Sequence, residues 1–66
     1  MQRFMRRTAV ELACGLPTST LYELMERGQF PRPIKISART VAWLESDIID
    51  WQQARIAERD HVREAR

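Results

Sequence analysis

The side chains best suited to chemistry in this sequence are hydroxyl groups and cations, and most of the cations lie in its first forty residues. Residues 1–40 contain seven of the eleven basic residues and three of the nine acidic ones, whereas residues 41–66 contain four and six. The formal net charge of +2 is therefore unevenly divided. A cluster of arginines favours a polyanionic ligand such as nucleic acid. The alternative is a chance asymmetry in a short chain.

Two groups of these residues have a spacing that fits contacts with duplex DNA. Exposed side chains at the start of a helix can contact base edges in the major groove, and these are Thr18, Ser19, Tyr22 and Glu23. Cationic and hydroxyl groups outside that helix can contact the backbone, and these are Arg6, Arg7, Lys35, Ser37, Arg39 and Thr40. Alternatives remain open: Tyr22 as a half-buried core residue, and Glu23 and Arg39 as solvated surface groups. Thr20 has a structural role in this interpretation.

Catalysis and cofactor binding find little support in the sequence. Cys14 and His61 are the only cysteine and histidine, which is too few ligands for a zinc site. No activated nucleophile, carboxylate pair or glycine-rich phosphate loop is recognisable. We therefore expect no enzyme activity, metal, cofactor or small-molecule ligand. No apolar run has the roughly 18 residues of a membrane helix, and no secretory signal is recognisable, so a cytoplasmic protein is expected.

A helix-turn-helix must position the proposed base-contacting residues. Thr8 and Glu11 have the spacing of a capping box, so the first helix is predicted to begin at Thr8 and to end at Gly15. Pro17 fits the start of a second helix, predicted from Thr18 to about Arg27 and ended by Gly28. Two short helices joined by a tight turn that contains glycine are typical of this motif.

A hairpin and a third helix are predicted to complete the domain. Residues 34–36 and 41–43 alternate like strands around a tip at residues 37–40. Ser46 is the predicted N-cap of a helix from Asp47 to about Asp60. The prediction is one mainly α domain over residues 1–66, a winged helix-turn-helix of order α-α-β-β-α with an arm at 1–7 and a polar extension at 58–66. The expected core residues are Leu12, Leu16, Leu21, Leu24, Met25, Phe30, Ile34, Ile36, Trp43, Ile48 and Trp51.

Several short motifs in this order resemble the AlpA family of phage and prophage regulators, which is similar to MerR-type proteins and excisionases. They are G-L-x-x-S-T-L-Y at residues 15–22, G-x-F-P-x-P at 28–33, and W-x-E-S-x-I at 43–48 followed by Trp51. The resemblance covers residues 3 to about 57. The chain departs from the family pattern at four positions. Pro17 stands where serine is usual, and Thr18 where arginine is common. Glu23 stands where a basic residue is usual, and Gln52 where leucine is usual.

The resemblance implies a regulator that binds double-stranded DNA and acts at promoters or attachment sites of an integrated element. Such proteins control integrase or excision genes, or bend DNA as excisionases. Integrase and RNA polymerase are further partners of interest, as is cooperative self-association on DNA. The alternative function is a protein-interaction module that docks an integrase, a repressor or a polymerase subunit.

Overall fold

The computed structural model describes the backbone of residues 1–64 and the side chains of residues 1–61. The elements in chain order are β1 (Phe4–Met5), α1 (Arg7–Cys14), α2 (Thr18–Glu26), β2 (Ile34–Ser37), β3 (Thr40–Leu44) and α3 (Glu45–Glu64). Three helices and a hairpin in the order α-α-β-β-α confirm the predicted winged helix-turn-helix. No described helix is long and apolar enough to cross a membrane.

Glycine residues end both helices of the helix-turn-helix. Gly15 and Gly28 have φ angles of 67° and 72°, in the left-handed region that glycine adopts without a steric penalty. After α2, the Gly28 and Gln29 amides donate to the Met25 and Leu24 carbonyls at 3.0 and 2.8 Å, which is the Schellman pattern. These stops lie where the sequence predicted them because C-cap chemistry is local.

The predicted start of α1 is wrong by one residue. The helix begins at Arg7, Arg6 is the N-cap, and the Arg6 side chain makes no capping hydrogen bond with a described residue. Thr8 therefore lies inside the first turn and not at the cap. The reason is tertiary: β1 pairs with β3 up to Met5, so the chain turns into the helix directly after that strand.

The sheet contains a strand that the sequence prediction treated as an arm. Its order is β1-β3-β2, with Phe4 opposite Leu44 and Met5 opposite Trp43. The Glu45 amide also donates to the Arg3 carbonyl at 2.8 Å. On the other side of β3, β2 is antiparallel and contains a bulge between Lys35 and Ser37. Ala38 and Arg39 form the turn of the hairpin.

The core lies between the two short helices, the sheet and the first turns of α3. Its buried apolar residues are Val10, Leu21, Phe30, Trp43 and Ile48. Several half-buried side chains pack against them, namely Met5, Cys14, Leu16, Leu24, Met25 and Trp51. Most of the expected core residues therefore lie in or against the core.

Three expected core residues are exposed instead, so that prediction is wrong for them. Leu12 is 81% exposed because α1 turns Val10 towards the core and Leu12 towards solvent. Ile34 is 39% exposed: it pairs with the buried Ala42 on the face opposite Trp43, and it lies on β2, which is an edge strand of the sheet. Ile36 is 47% exposed and lies at the bulge, which removes it from the regular alternation.

Two indole groups hold the segment that joins α2 to the hairpin. Trp43 Nε1 donates to the Pro31 carbonyl at 2.8 Å, and Trp51 Nε1 donates to the Gln29 carbonyl at 2.9 Å. Phe30 lies between these carbonyls in sequence and packs edge-on against Trp51, with ring centroids 4.9 Å apart. The tryptophans thereby fix the position of the hairpin relative to α2.

The third helix starts earlier and ends later than predicted. β3 leads directly into α3 at Glu45, so Ser46 lies within the helix and donates to the Gln2 side chain at 3.2 Å instead of capping. Gln52, which stands where the family usually has leucine, donates to the Ala13 carbonyl near the end of α1 at 3.0 Å. The helix continues to Glu64, so the predicted polar extension is helical over 58–64, and its last two residues lie outside the described residues.

Candidate nucleic-acid interface

A groove of about 300 Å³ lies between the start of α1, the outer side of α2 and the hairpin, and we call it the basic groove. Its lining residues are Arg6, Arg7, Thr8, Tyr22, Arg39, Val41 and Trp43. Three of these carry guanidinium groups and none carries a carboxylate. A concave surface with this charge attracts anions, and guanidinium groups bind phosphate oxygens in a bidentate geometry.

The fold brings residues from distant parts of the sequence together in the basic groove. Arg6 and Arg7 enter it from the start of α1, Tyr22 from α2 and Arg39 from the hairpin turn. Lys35 is exposed and pairs with Val41, which lines the groove, so the two residues share a face of the hairpin. The sequence named these cations individually but could not show that they converge.

The other two predicted backbone-contacting residues lie at the end of the hairpin. Ser37 and Thr40 are paired with each other across the turn, and Ser37 is exposed whereas Thr40 is half-buried. Neither residue lines the basic groove. Contacts from these hydroxyls would therefore be made at the tip of the hairpin, beside the groove.

The predicted base-contacting residues lie along one exposed side of α2. Thr18, Ser19, Tyr22 and Glu23 are all exposed, whereas Leu21 is buried. Tyr22 is 50% exposed and faces the basic groove, which places it at the surface and outside the buried core. Thr20 is half-buried on the side that packs against the domain. The first turn of α2 is therefore accessible to a ligand that enters beside the groove.

Glu23 has an intramolecular partner on the same helix. Its carboxylate accepts from the Arg27 guanidinium at 2.9 Å, at the i, i+4 spacing that suits a helical ion pair. Both side chains are more than half exposed, so the pair is worth only about 0.3–0.5 kcal/mol. A base that offers an amino group competes easily with such a weak pair, and the Arg27 charge lowers the repulsion between Glu23 and phosphates.

Glu11 is a residue of this site that the sequence interpretation missed. Its Oε2 atom accepts from the Thr18 hydroxyl at 2.8 Å and lies 3.3 Å from Arg7 Nε. The Glu11 side chain is 19% exposed, whereas that of Arg7 is 52% exposed. The sequence interpretation assigned Glu11 to a capping box. The i, i+4 spacing of Arg7 and Glu11 was a readable signal, but the contact with Thr18 depends on how the helices pack.

The remaining surface offers less to a polyanion. A second groove of about 570 Å³ lies beside the start of α3, and its lining includes Asp47 and Asp50. Burial raises the pKa of the half-buried Cys14 thiol, which lowers its reactivity. Among the residues the structure describes, no group of three or more histidine, cysteine or acidic side chains is placed to hold a metal ion.

Comparison with known proteins places the chain in a family. Residues 3–56 match the family described as prophage CP4-57 regulatory protein, AlpA. The chain belongs to the AlpA family. It is also 43% identical over 58 residues to an uncharacterized protein, ORF88, of Enterobacteria phage P4. That alignment covers 88% of the chain and 66% of the phage protein, just under two thirds of its length.

The AlpA match includes all of the residues that form the basic groove, together with both helices of the helix-turn-helix. It ends at Ile56, within α3, so the distal part of that helix lies beyond the matched region. The candidate interface of this AlpA-family chain thus lies entirely within the matched region.

Proposed function

We propose that this AlpA-family protein binds double-stranded DNA through α2 and the basic groove. In this arrangement the first turn of α2 enters the major groove, and Arg6 and Arg39 contact phosphates on either side of it. The observation that supports the proposal most strongly is the convergence of three arginines beside the exposed start of α2. The DNA major groove is about 12 Å wide and accepts one helix, which fits a single projecting α2.

The division between affinity and sequence selection follows from the residue types. Arginine and lysine contacts with phosphate supply binding energy and register without sequence information. Thr18, Ser19, Tyr22 and Glu23 offer hydroxyls and one carboxylate to the bases. The proposed contacts are few, so one domain binds one half-site weakly. Tight binding then needs neighbouring sites, a second copy or a partner protein.

The finer biological role in this proposal is transcription regulation of a phage or integrated element. Family membership supports regulation, and DNA binding is the physical step through which this fold would exert it. Control of integrase expression and action as an excisionase both begin with that step. The proposal includes no catalytic reaction and no cofactor, and it places the protein in the cytoplasm where its DNA target is.

The test is a comparison of two arginine variants on DNA that surrounds the protein's own gene. Arg39→Ala should weaken binding by about 1–3 kcal/mol, or about 5- to 150-fold, because it removes a contact at the groove. Arg59→Ala is the matched control: it makes the same charge change on α3, where Arg59 pairs with Asp60 at 2.9 Å outside the groove. Fluorescence anisotropy titrations at fixed salt measure both. An equal loss of DNA affinity in the two variants would show that net charge alone accounts for the effect, and it would refute the proposed interface.

A protein-interaction role is the second candidate, and the groove beside α3 favours it. That groove combines Asp47 and Asp50 with one basic residue, Arg32, and with the apolar surface of Trp51, so it suits a basic protein segment better than DNA. Salt-sensitive binding of the isolated chain to duplex DNA would decide for the first function. Binding to integrase or polymerase without any DNA affinity would decide for the second.

A further inference from the structure

The hydroxyl of Thr18, the exposed first residue of α2, donates its proton to another side chain of the protein. Thr18 Oγ1 and Glu11 Oε2 are 2.8 Å apart. A carboxylate oxygen accepts hydrogen bonds and carries no proton to donate, so Thr18 is the donor in this bond. Because Glu11 belongs to α1, the direction of the Thr18 hydroxyl is set by the packing of one helix on the other.

The geometry around Glu11 holds this arrangement in place. The same Oε2 atom lies 3.3 Å from Arg7 Nε, so the carboxylate also pairs with a cation. The Glu11 side chain is 19% exposed, whereas Thr18 is exposed, so the hydrogen bond lies at the protein surface. Charge-assisted hydrogen bonds to a carboxylate are stronger than those between neutral groups. A DNA base that needed the Thr18 proton would have to break one of them.

We propose that Glu11 is a specificity-determining positioning residue, which makes Thr18 an obligatory hydrogen-bond acceptor towards DNA. A hydroxyl has one proton and two acceptor lone pairs, so only the lone pairs remain available. In the major groove, adenine N6 and cytosine N4 carry amino donors, whereas guanine O6 and N7 and thymine O4 are acceptors. Thr18 therefore selects an adenine or cytosine amino group and disfavours guanine and thymine at the base that it contacts. The selection rests on the DNA binding proposed above.

Selection of binding sites from a random duplex library tests this preference. The parent protein should enrich adenine or cytosine at one position of its site. Thr18→Val has nearly the same shape but no acceptor, and should lose the preference at that position alone. Thr18→Ser retains the hydroxyl and should retain the preference. Ser46→Ala is the control, because it removes a hydroxyl that also donates to a side chain but lies on α3, outside α2 and the basic groove.

Glu11→Gln separates the positioning role from a direct contact. A glutamine amide can donate to Thr18 Oγ1, which frees the Thr18 proton for an acceptor on the base. The variant should therefore also bind sites with guanine or thymine at the selected position. Arg7 loses its ion pair in the same variant, but a phosphate contact changes affinity for all sequences equally. A change in base preference is thus specific to the Thr18 hydroxyl.

Base analogues give a measurement that needs no variant to fold. The selected adenine is replaced by purine without its 6-amino group, or the selected cytosine by 2-pyrimidinone. The parent should bind the analogue about two- to tenfold more weakly, the effect of one neutral hydrogen bond. Thr18→Val should bind both duplexes equally. A parent that binds the analogue duplex as tightly as the original, or variants that share the parent's site, would overturn the inference while leaving DNA binding intact. A parent that binds duplex DNA but selects no base would overturn this inference alone, whereas a parent that binds no duplex DNA would refute both proposals.

Discussion

The two tryptophans make the same kind of hydrogen bond in different surroundings, which allows a matched stability experiment. Trp43 is 1% exposed and donates to the half-buried Pro31 carbonyl, whereas Trp51 is half-buried and donates to Gln29 at the surface. Replacement of either residue by phenylalanine removes the indole N–H but keeps an aromatic ring. We predict that Trp43→Phe destabilises the protein more than Trp51→Phe.

The magnitudes follow from what replaces each hydrogen bond. In Trp43→Phe the half-buried Pro31 carbonyl loses its partner in a site that water reaches less easily than it reaches the Gln29 carbonyl, at a cost of about 1–3 kcal/mol. In Trp51→Phe water can bind the Gln29 carbonyl and the contact with Phe30 can persist, so about 0.5–1.5 kcal/mol is expected. Trp43→Ala removes the ring as well and should cost about 3–5 kcal/mol. The total free energy of unfolding of a domain of this size is roughly 3–10 kcal/mol.

Thermal and urea denaturation followed by circular dichroism measure these differences. At about 4–8 °C per kcal/mol, a loss of 2 kcal/mol in Trp43→Phe lowers Tm by about 8–16 °C. The urea m-value should stay constant, because the same surface is exposed on unfolding. A Trp51→Phe variant that is as unstable as Trp43→Phe, or less stable, would show that burial does not determine the cost. The account of how the hairpin is fixed to α2 would then be wrong.

Three further outcomes are expected from other parts of the structure. Leu12→Gln should change the free energy of unfolding by less than about 0.5 kcal/mol in urea melts, because Leu12 is 81% exposed. Cys14 should react slowly with a thiol reagent at pH 8, because burial raises the pKa of its thiol. For the same reason, the contribution of the protonated thiol to the free energy of unfolding is present at low pH and is lost as pH rises through the pKa of the folded state. The logarithm of the DNA association constant should fall against the logarithm of the salt concentration with a slope of about −3. This is the value for about three phosphate contacts, from Arg6, Lys35 and Arg39. Titrations on one duplex at several salt concentrations measure it.

The features that the sequence predicted well depend on local chemistry. Gly15 and Gly28 end the helices because only the residues beside them decide whether a left-handed turn is possible. The spacing of Leu21, Leu24 and Met25 correctly indicated the inner face of α2, since a nine-residue helix has room for one clear apolar stripe. The helix-turn-helix could therefore be recognised before any tertiary contact was known.

The features that the sequence missed depend on contacts between distant residues. β1 is two residues long and exists because it pairs with β3, about forty positions away. In α1, apolar residues occur on more than one side, and only packing decides that Val10 is buried and Leu12 is not. The bulge after Lys35 likewise turns Ile36 out of a pattern that looked regular. Short elements carry too few residues for periodicity to choose between faces.

Glu11 shows how the same limitation affects the candidate interface. Its spacing from Thr8 matched a capping box, but its carboxylate contacts Arg7 and Thr18 instead. The resemblance to AlpA proteins implies arginine at the position where Thr18 stands, so the two side chains can be compared. Arginine donates to guanine O6 and N7, whereas a threonine whose proton is held by Glu11 can only accept. If α2 contacts bases as proposed, threonine at this position would reverse the polarity of the contact relative to arginine, and we expect the preferred base to carry an amino group.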